Sequence, residues 1–377
     1  MNIALHEPTI DAAEAAAVQT CLASGWVSSA GPQVRAFEEA VAAYCGVPHA
    51  IATSSGTAAL HLALLAAGVQ PGDLVLMPAL SFVAPVHAVR YVGAVPVFVD
   101  MEAVHWQMDP DLLEAWLAAE VAPGGRIHRS SGRRIGALLP VHVLGYMGDM
   151  ARLQGLAAQY GIPLVEDAAE ALGSHAGGRH AGTFGLLGCL SFNGNKIITT
   201  GGGGMVLTQD PALAAQVRHL STQARLPGRG YVHDQVGYNY RLPALGAALG
   251  LAQMQRLEDH LARKAVIEAR YREALPMAVF PAVCPGTQPN HWLCTALLAV
   301  RDPAIEALAA GGIEARPLWT PLDQLGPYRD SRSVGRGEVA GQLFGSAVSL
   351  PSSPGLTEAQ QDRVIAVVRA ACGYKSG

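Results

Sequence analysis

Short apolar runs alternate with Ala- and Leu-rich stretches through the first two thirds of the chain. The runs have the length of buried parallel strands, and the stretches between them follow polar or glycine-containing turns, as helices do. This alternation predicts an α/β fold built on a doubly wound, mostly parallel sheet. The predicted strands are residues 50–52, 74–77, 95–99, 137–141 and 163–166. The clearest predicted helices are residues 57–67, residues 150–160 and the segment after Phe82.

The pattern changes after residue 196. Two short β-branched or apolar runs, residues 197–200 and 205–208, flank a run of glycines and predict a hairpin. From about Leu245 a long helical pattern leads into a second region, for which we predict a smaller C-terminal α/β domain. The domains are predicted as residues 1–250 and 251–377. The second contains a strand at 295–300 and helices at 303–310 and 357–372. The long helix carries charges that predict one wet face, at Arg256, Glu258, Asp259, Arg263 and Lys264.

Composition narrows the functional classes. The mean hydropathy of +0.23 raises the possibility of a membrane protein, and residues 40–72 contain no charged side chain. Gly46, Pro48 and Pro71 interrupt that segment, so no apolar span of about 20 residues emerges. The first residues lack a basic segment followed by an apolar one, so no secretory signal is visible and a cytoplasmic enzyme is expected.

The net charge argues against a nucleic-acid-binding protein, and the spacing of cysteines and histidines argues against a metal-binding one. The net charge of -4 gives no electrostatic footprint for nucleic acid. The basic residues of the 123–135 loop are predicted to be a solvated cluster; they are Arg126, His128, Arg129, Arg133 and Arg134. The six cysteines are widely spaced and never form C-x-x-C, which favours reduced thiols, and no histidines show paired ligand spacing, so we expect no metal.

Lys196 is the first candidate for chemistry. It is one of three lysines in the chain, and no other charged residue lies between residues 186 and 205. An amine flanked by isoleucines and a run of glycines is expected to be desolvated, which lowers its pKa and favours Schiff-base formation. A strand-end lysine that extends its ammonium into water fits the same window.

Two other segments supply complementary groups. Residues 53–57 place small hydroxyl residues and Gly56 between a predicted strand and helix, where free N–H groups bind a phosphate, although Ser54 or Ser55 as a plain helix cap fits as well. Asp167 ends an apolar strand and can hold a protonated heterocyclic nitrogen or simply cap the next helix. A phosphate cradle, a strand-end acid and a desolvated lysine together are the anchors that pyridoxal phosphate needs.

The sequence resembles the pyridoxal-phosphate sugar aminotransferases of fold type I known as the DegT/StrS family. The resemblance covers nearly the whole chain. It rests on SSGTAAL (54–60), PALSFVAP (78–85), LPVHVLG (139–145), VEDAAEALGS (165–174), GTFGLLGCLSFNGNKIITTGGGGMV (182–206), GYNYRLP (237–243) and EARPLWTPL (314–322). The segment SFNGNKIITTGGGG, with RRIGALLPVHVLG upstream, is most similar in sequence to the branch that aminates UDP-4-keto-6-deoxy-N-acetylglucosamine for bacillosamine or legionaminic acid.

The resemblance implies roles for eight residues. Lys196 would form the Schiff base with the cofactor, and Asp167 would pair with its pyridine nitrogen. Phe82 would stack on the ring, and Glu170 would lie near the cofactor's O3′. The phosphate would be held by Gly56, Thr57 and Ser191, and by Asn239 of the neighbouring subunit, which implies a homodimer with shared active sites. Phe82 as plain core, Ser191 as a strand hydroxyl and Asn239 as a turn residue are the alternatives.

Three positions depart from the commoner family pattern. Glu170 stands where the family often has Gln, and Gly202 stands where GEGG would place Glu. Asp323 replaces a histidine that follows the PL pair in relatives, which leaves the contacts of that loop open. Candidate contacts for the sugar nucleotide or glutamate are His142, Arg241, Arg316, Trp319 and Tyr328, since Arg suits carboxylates and diphosphates.

The function implied by the resemblance is transfer of glutamate's amino group to C4 of a nucleotide-linked 4-keto-6-deoxy sugar. UDP-4-keto-6-deoxy-N-acetylglucosamine is the expected substrate, and surface-glycan (lipopolysaccharide) biosynthesis is the expected context. Amination at C3 and sugar dehydration on the same fold are alternatives, but the dehydratases replace the lysine with histidine, so Lys196 argues against them. A sugar-nucleotide-binding protein without turnover is the non-enzymatic alternative.

Overall fold

The computed structural model describes residues 2–122, 125–228 and 230–374 of the chain. The described strands are β1 His49–Thr53, β2 Leu74–Pro78, β3 Val95–Val99, β4 Ile135–Leu138, β5 Val165–Asp167, β6 His175–Ala176, β7 Arg179–His180, β8 Leu187–Ser191, β9 Gly204–Thr208, β10 Thr287–Gln288, β11 Cys294–Leu297, β12 Arg316–Pro317, β13 Arg332–Val334 and β14 Ala347–Leu350. The described α-helices are α1 Ala12–Ser24, α2 Pro32–Cys45, α3 Gly56–Ala66, α4 Ala84–Tyr91, α5 Pro110–Glu120, α6 Met150–Tyr160, α7 Pro211–Ser221, α8 Ala244–Met254, α9 Leu257–Ala274, α10 Arg301–Ala310, α11 Glu338–Ser346 and α12 Glu358–Ala371.

The main sheet is formed by two groups of strands, β1-β9-β8-β5 and β4-β2-β3-β13. Single parallel bridges, Leu138 to Leu164 and Val141 to Asp167, join the two groups. Strand β9 runs antiparallel to both of its neighbours, whereas the other pairings within these groups are parallel. The predicted α/β class with a mostly parallel sheet is therefore confirmed. Strands β4 and β5 are shorter than predicted, since residues 139–141 and 163–164 do not belong to them.

A second, smaller sheet has the antiparallel order β11-β14-β12. A hydrophobic cluster separate from the main core packs beside it, and its members include Ile267, Tyr271, Val348 and Ile365. Ile3, near the start of the chain, joins this second cluster. The boundary between residues 250 and 251 stays a prediction. Within the described parts of the chain, no helix has both the length and the apolar character that crossing a bilayer requires.

The predicted hairpin at 197–208 is wrong in its first strand. Strand β9 instead pairs with β8, and residues 197–200 belong to the loop between them. The hydroxyl of Thr199 donates to the carbonyl of Phe192 at 3.2 Å and accepts the N–H of Gly201 at 2.9 Å. The β-branched run therefore reflects burial and side-chain hydrogen bonding to the loop backbone rather than strand formation.

The long helical pattern from Leu245 is interrupted at Gln255 and Arg256, which separate α8 from α9. The predicted wet face of α9 is wrong at Lys264, which is fully buried. His260 and Glu268, one helical turn away on either side, are buried as well. One face of α9 therefore carries polar side chains into the interior, which the pattern of charges does not reveal.

The basic cluster at 126–134 is only partly a solvated loop. Arg129 and Arg133 are exposed, as predicted. His128 is buried and stacks on Trp116, with 5.3 Å between the ring centroids, and Arg134 pairs with Asp73. The prediction is therefore wrong for these two residues, because each finds a partner on a neighbouring element. Residues 123–124 of this loop lie outside the described residues.

Candidate active site

A cavity of about 500 Å³ lies at the carboxyl ends of the strands of the main sheet. Asp167 and Ser191 are the last residues of β5 and β8, and helix α3 begins directly after β1. Segments from the second region of the chain close the other side. The wall contains most of the predicted site residues, namely Gly56, Thr57, Phe82, Asp167, Glu170, Ser191, Lys196, Arg316 and Trp319.

The first turn of α3 forms one end of the cavity. Ser55 is the N-cap of this helix, and its hydroxyl accepts the N–H of Ala58 at 3.0 Å. The first N–H groups of a helix have no partner within it, so those of Gly56 and Thr57 are available to an anion. A Cβ added at Gly56 would lie 2.9 Å from the Cβ of Ser191, so glycine lets β8 approach the helix end. The capping alternative is therefore correct for Ser55, and this cap leaves the N–H groups of the first turn open to an anion.

Lys196 enters the cavity from the loop after β8. Its Nζ lies 3.6 Å from Oε1 of Glu170 and 3.8 Å from the centre of the Trp292 indole, and 13% of its side chain is exposed. Burial lowers the pKa of Lys196, while the carboxyl groups of Glu170 and Asp167 act in the opposite direction. The amine is therefore desolvated rather than extended into water.

Two buried carboxyl groups, of Asp167 and Glu170, interact electrostatically with this amine and have different hydrogen-bond partners. Oδ1 of Asp167 accepts the N–H of Ala169 at 3.0 Å, and burial raises the pKa of Asp167. Oε2 of Glu170 accepts the N–H of Leu144 at 2.8 Å, and burial raises the pKa of Glu170 to about 7, against the opposing effect of Lys196. Glu170 can therefore hold or release a proton near neutral pH.

The groups present fit pyridoxal phosphate. A helix N-terminus with a close-approaching glycine suits the phosphate, and a desolvated lysine suits the aldehyde. Asp167 supplies a carboxyl group for the pyridine nitrogen, and the half-exposed ring of Phe82 faces the same cavity. In this donor set the phosphate, aldehyde and ring nitrogen each have a partner.

Four predicted site residues do not line this cavity. His142 is buried behind it, with Nε2 2.9 Å from Oε2 of Glu166, a carboxylate that also accepts backbone N–H groups. Tyr328 is buried, and its hydroxyl lies 2.5 Å from Nδ1 of His87. Both side chains are engaged by interior partners, so the predicted substrate contacts of His142 and Tyr328 are not supported. Asn239 and Arg241 border a separate surface groove.

Sequence reasoning missed Trp292. Its indole packs under Lys196, and its ring is stacked near Trp319 with centroids 6.4 Å apart. Phe82 in turn meets Trp319 edge-on, so three aromatic rings follow one another along the wall. The only signal in the sequence was the rarity of tryptophan, with five in the chain.

Comparison with known proteins supports the geometric interpretation. The model of the DegT/DnrJ/EryC1/StrS aminotransferase family matches residues 8–369. The GDP-perosamine synthase of Caulobacter vibrioides is 38% identical over 97% of both chains. EpsN of Bacillus subtilis, which bears the name of a pyridoxal phosphate-dependent aminotransferase, is 38% identical over 97% of this chain and 95% of its own.

A solved structure gives the same result. The crystal structure of a DegT DnrJ EryC1 StrS aminotransferase from Brucella abortus superimposes with a TM-score of 0.90 at 31% identity, covering 96% of this chain and 95% of the other. Family, fold and site geometry thus agree. The chain belongs to the DegT/DnrJ/EryC1/StrS family, and it is an aminotransferase with pyridoxal 5′-phosphate as its cofactor.

Proposed function

We propose that this enzyme transfers the amino group of glutamate to C4 of a nucleotide-linked 4-keto-6-deoxy sugar. The observation that carries the proposal is the position of Lys196 Nζ, which is desolvated and 3.6 Å from a carboxyl group inside the cavity at the end of α3. An amine in this position can both carry the cofactor and exchange protons with a substrate beside it.

The residues that line the cavity have separate roles in the proposed reaction. The bound cofactor supplies an electron sink for the carbon that loses its proton. The N-terminus of α3 and the Ser191 hydroxyl bind the phosphate, and Asp167 holds the ring nitrogen in its protonated form. Lys196 carries the cofactor and, once released, its Nζ takes a proton from the donor carbon and returns one to the acceptor.

Glu170 is proposed to buffer this proton. Its carboxyl group is within 3.6 Å of Lys196 Nζ and has a pKa of about 7. At neutral pH it therefore exists in both protonation states, and it can accept or supply a proton beside the amine. Exposed Arg316, on the outer part of the wall, suits the diphosphate of a sugar nucleotide or the carboxylate of glutamate.

Two nucleotide sugars are candidates for the acceptor. The loop from β8 to β9 favours UDP-4-keto-6-deoxy-N-acetylglucosamine, as in the bacillosamine and legionaminic acid branch. The relative named GDP-perosamine synthase favours a GDP-linked sugar instead. Both are sugars carried on a nucleoside diphosphate, and we propose cytoplasmic surface-glycan biosynthesis as the context of the reaction.

A homodimer with shared active sites is part of the proposal. Asn239 is exposed and lies in a groove apart from the cavity of its own chain, together with Thr222, Arg225 and Arg241. This position leaves its side chain free to act on a neighbouring subunit, where we propose that it binds the cofactor phosphate. A C4 product formed by a strictly monomeric protein would remove this element of the proposal.

The acceptor is tested with product analysis by NMR. The purified enzyme is incubated with cofactor, glutamate and a panel of UDP- and GDP-linked 4-keto and 3-keto sugars, and the Lys196→Arg variant serves as the blank. We expect a 4-amino sugar from one nucleotide series and none from the 3-keto sugars. An exclusive 3-amino product would contradict the C4 assignment, and a dehydrated sugar without nitrogen would favour the dehydratase.

A further inference from the structure

Trp292 lies directly against the reactive amine. The residue is 3% exposed, and Lys196 Nζ lies over its indole face, 3.8 Å from the ring centre. Oε1 of Glu170 lies 3.6 Å from the same Nζ. The Lys196 amine therefore has both a carboxyl group and an aromatic face as close neighbours.

Three hydrogen bonds hold Trp292 in place, one at its indole and two at its backbone. Its Nε1 donates to the carbonyl of Asn195, the residue before Lys196, at 2.6 Å. Its backbone N–H donates to Oδ1 of Asn290 at 3.0 Å, and its carbonyl accepts from Nζ of Lys264 at 2.8 Å. The orientation of the ring relative to the Lys196 loop is thus set by hydrogen bonds at both ends of the residue.

The preceding residue adds a conformational constraint. His291 has a φ of 53°, in the left-handed region that is unfavourable for a residue with a side chain. Its Nδ1 lies 2.9 Å from Oε2 of Glu268, on the buried face of α9 that also carries Lys264. Helix α9 therefore contacts this segment twice, at the His291 side chain through Glu268 and at the Trp292 carbonyl through Lys264.

We propose that the face of Trp292 is the resting place of the Lys196 amine during the part of the cycle in which this amine is not bonded to the cofactor. The inference rests on the proposed role of Lys196. An aromatic face attracts an ammonium group more than a neutral amine. Trp292 therefore stabilises Lys196 after it has taken up a proton and keeps it within reach of the reacting carbon. Lys264 is a positioning residue that acts through the Trp292 carbonyl.

The charged groups around the amine act together with the ring. Burial favours the neutral form of Lys196, whereas Glu170 and Asp167 favour its protonated form. Like these two carboxyl groups, the indole favours the protonated form of Lys196, but it is not itself ionisable. Removing the ring is therefore expected to lower the pKa of Lys196, by roughly 0.4–1.5 units for a cation–π contribution of about 0.5–2 kcal/mol.

The chain offers a direct test because it has three lysines, at positions 196, 264 and 375, the last of which lies outside the described residues. Lysine labelled with ¹³C at Cε gives one NMR signal for each in the cofactor-free protein, and Lys196→Arg identifies the signal of Lys196. We expect an upfield ring-current shift of that signal in the wild type. Trp292→Leu is expected to abolish the shift and to lower the pKa, and the matched variant Trp292→Phe to retain part of both.

Steady-state kinetics of the cofactor-bound enzyme complete the test. Trp292→Leu is expected to lower kcat with little change in the KM for glutamate, since the ring acts on the released amine. An unshifted wild-type signal, an unchanged Lys196 pKa in both variants, or an effect on KM alone would overturn the inference. Borohydride trapping of the cofactor on Lys196 in each variant separates this failure from failure of the proposed function, in which no adduct would form even in the wild type.

Discussion

Two lysines of this protein, one partly exposed and one fully buried, have different surroundings. Lys196 borders a cavity and has Glu170 and an indole face beside its Nζ. Lys264 is fully buried on α9, and its Nζ donates to the carbonyls of Trp292 and Ser352 at 2.8 and 2.7 Å. Among the ion pairs of the described residues, Lys196 has a carboxylate partner and Lys264 has none.

Burial lowers the pKa of both amines, and that of Lys264 falls to about 7. A perturbed pKa alone therefore does not distinguish the reactive lysine from the one that supports the fold. What distinguishes them is space for a ligand and a carboxyl group able to exchange a proton. The two carbonyl acceptors of Lys264 instead match the two N–H donors of a neutral amine.

The largest expected difference between the two lysines is in turnover. Lys196→Arg is expected to reduce kcat on the order of 10³-fold or more, because it removes both the covalent tether and an acid–base group worth about 10²–10⁴. Lys264→Arg retains donors for the two carbonyls and should lose far less. Steady-state assays with glutamate measure both variants. Equal losses would contradict the assignment of chemistry to Lys196 alone.

The second difference is in stability. Lys264→Met leaves two buried carbonyls without donors, at a cost of about 1–3 kcal/mol each. The pKa of Lys264 is lowered from 10.5 to about 7 on folding. As the pH falls through this interval, the unfolded chain gains a proton that the folded chain does not, so the wild type loses stability and the variant does not.

The free energy of unfolding of the wild type should therefore exceed that of Lys264→Met most above pH 10.5. The gap should narrow as the pH falls to 7, by about 5 kcal/mol at most. Urea unfolding at several pH values measures it. A gap that is constant between pH 7 and 10 would show that Lys264 stays protonated in the folded protein.

The smallest effect concerns the carboxyl group that sets Lys196 apart. As the pH rises through about 7, Glu170 loses its proton, and its negative charge raises the pKa of Lys196. The released amine is then held in its protonated form, which cannot take a proton from the donor carbon. The kcat of the wild type should therefore decline several-fold above pH 7. In Glu170→Gln this limb of the pH profile should disappear. An unchanged profile would assign the inflection to another group.

The sequence was sufficient for elements whose ends are set locally. Helix α6 was predicted with both ends correct, because Asp149 caps it and Gly161, with a φ of 63°, ends it. The location of the segments around Lys196 and Asp167 could also be predicted from the sequence, since strand ends and helix starts bring them to one edge of the sheet.

Other features depend on contacts distant in the sequence. Lys264 was predicted to be exposed because it follows Arg263 among other charges, and only the carbonyls of Trp292 and Ser352 explain its burial. His142 was predicted as a substrate contact, and its pairing with Glu166 of β5 could not be read from the local sequence. Trp292 was missed because no local pattern indicates which ring will pack on Lys196.

One measurement tests the difference between the two lysines most directly. The protein is incubated with pyridoxal phosphate, reduced with borohydride, digested, and mapped by mass spectrometry. The account predicts a reduced cofactor adduct on Lys196 and none on Lys264. An adduct on Lys264, or no adduct on any lysine, would contradict it.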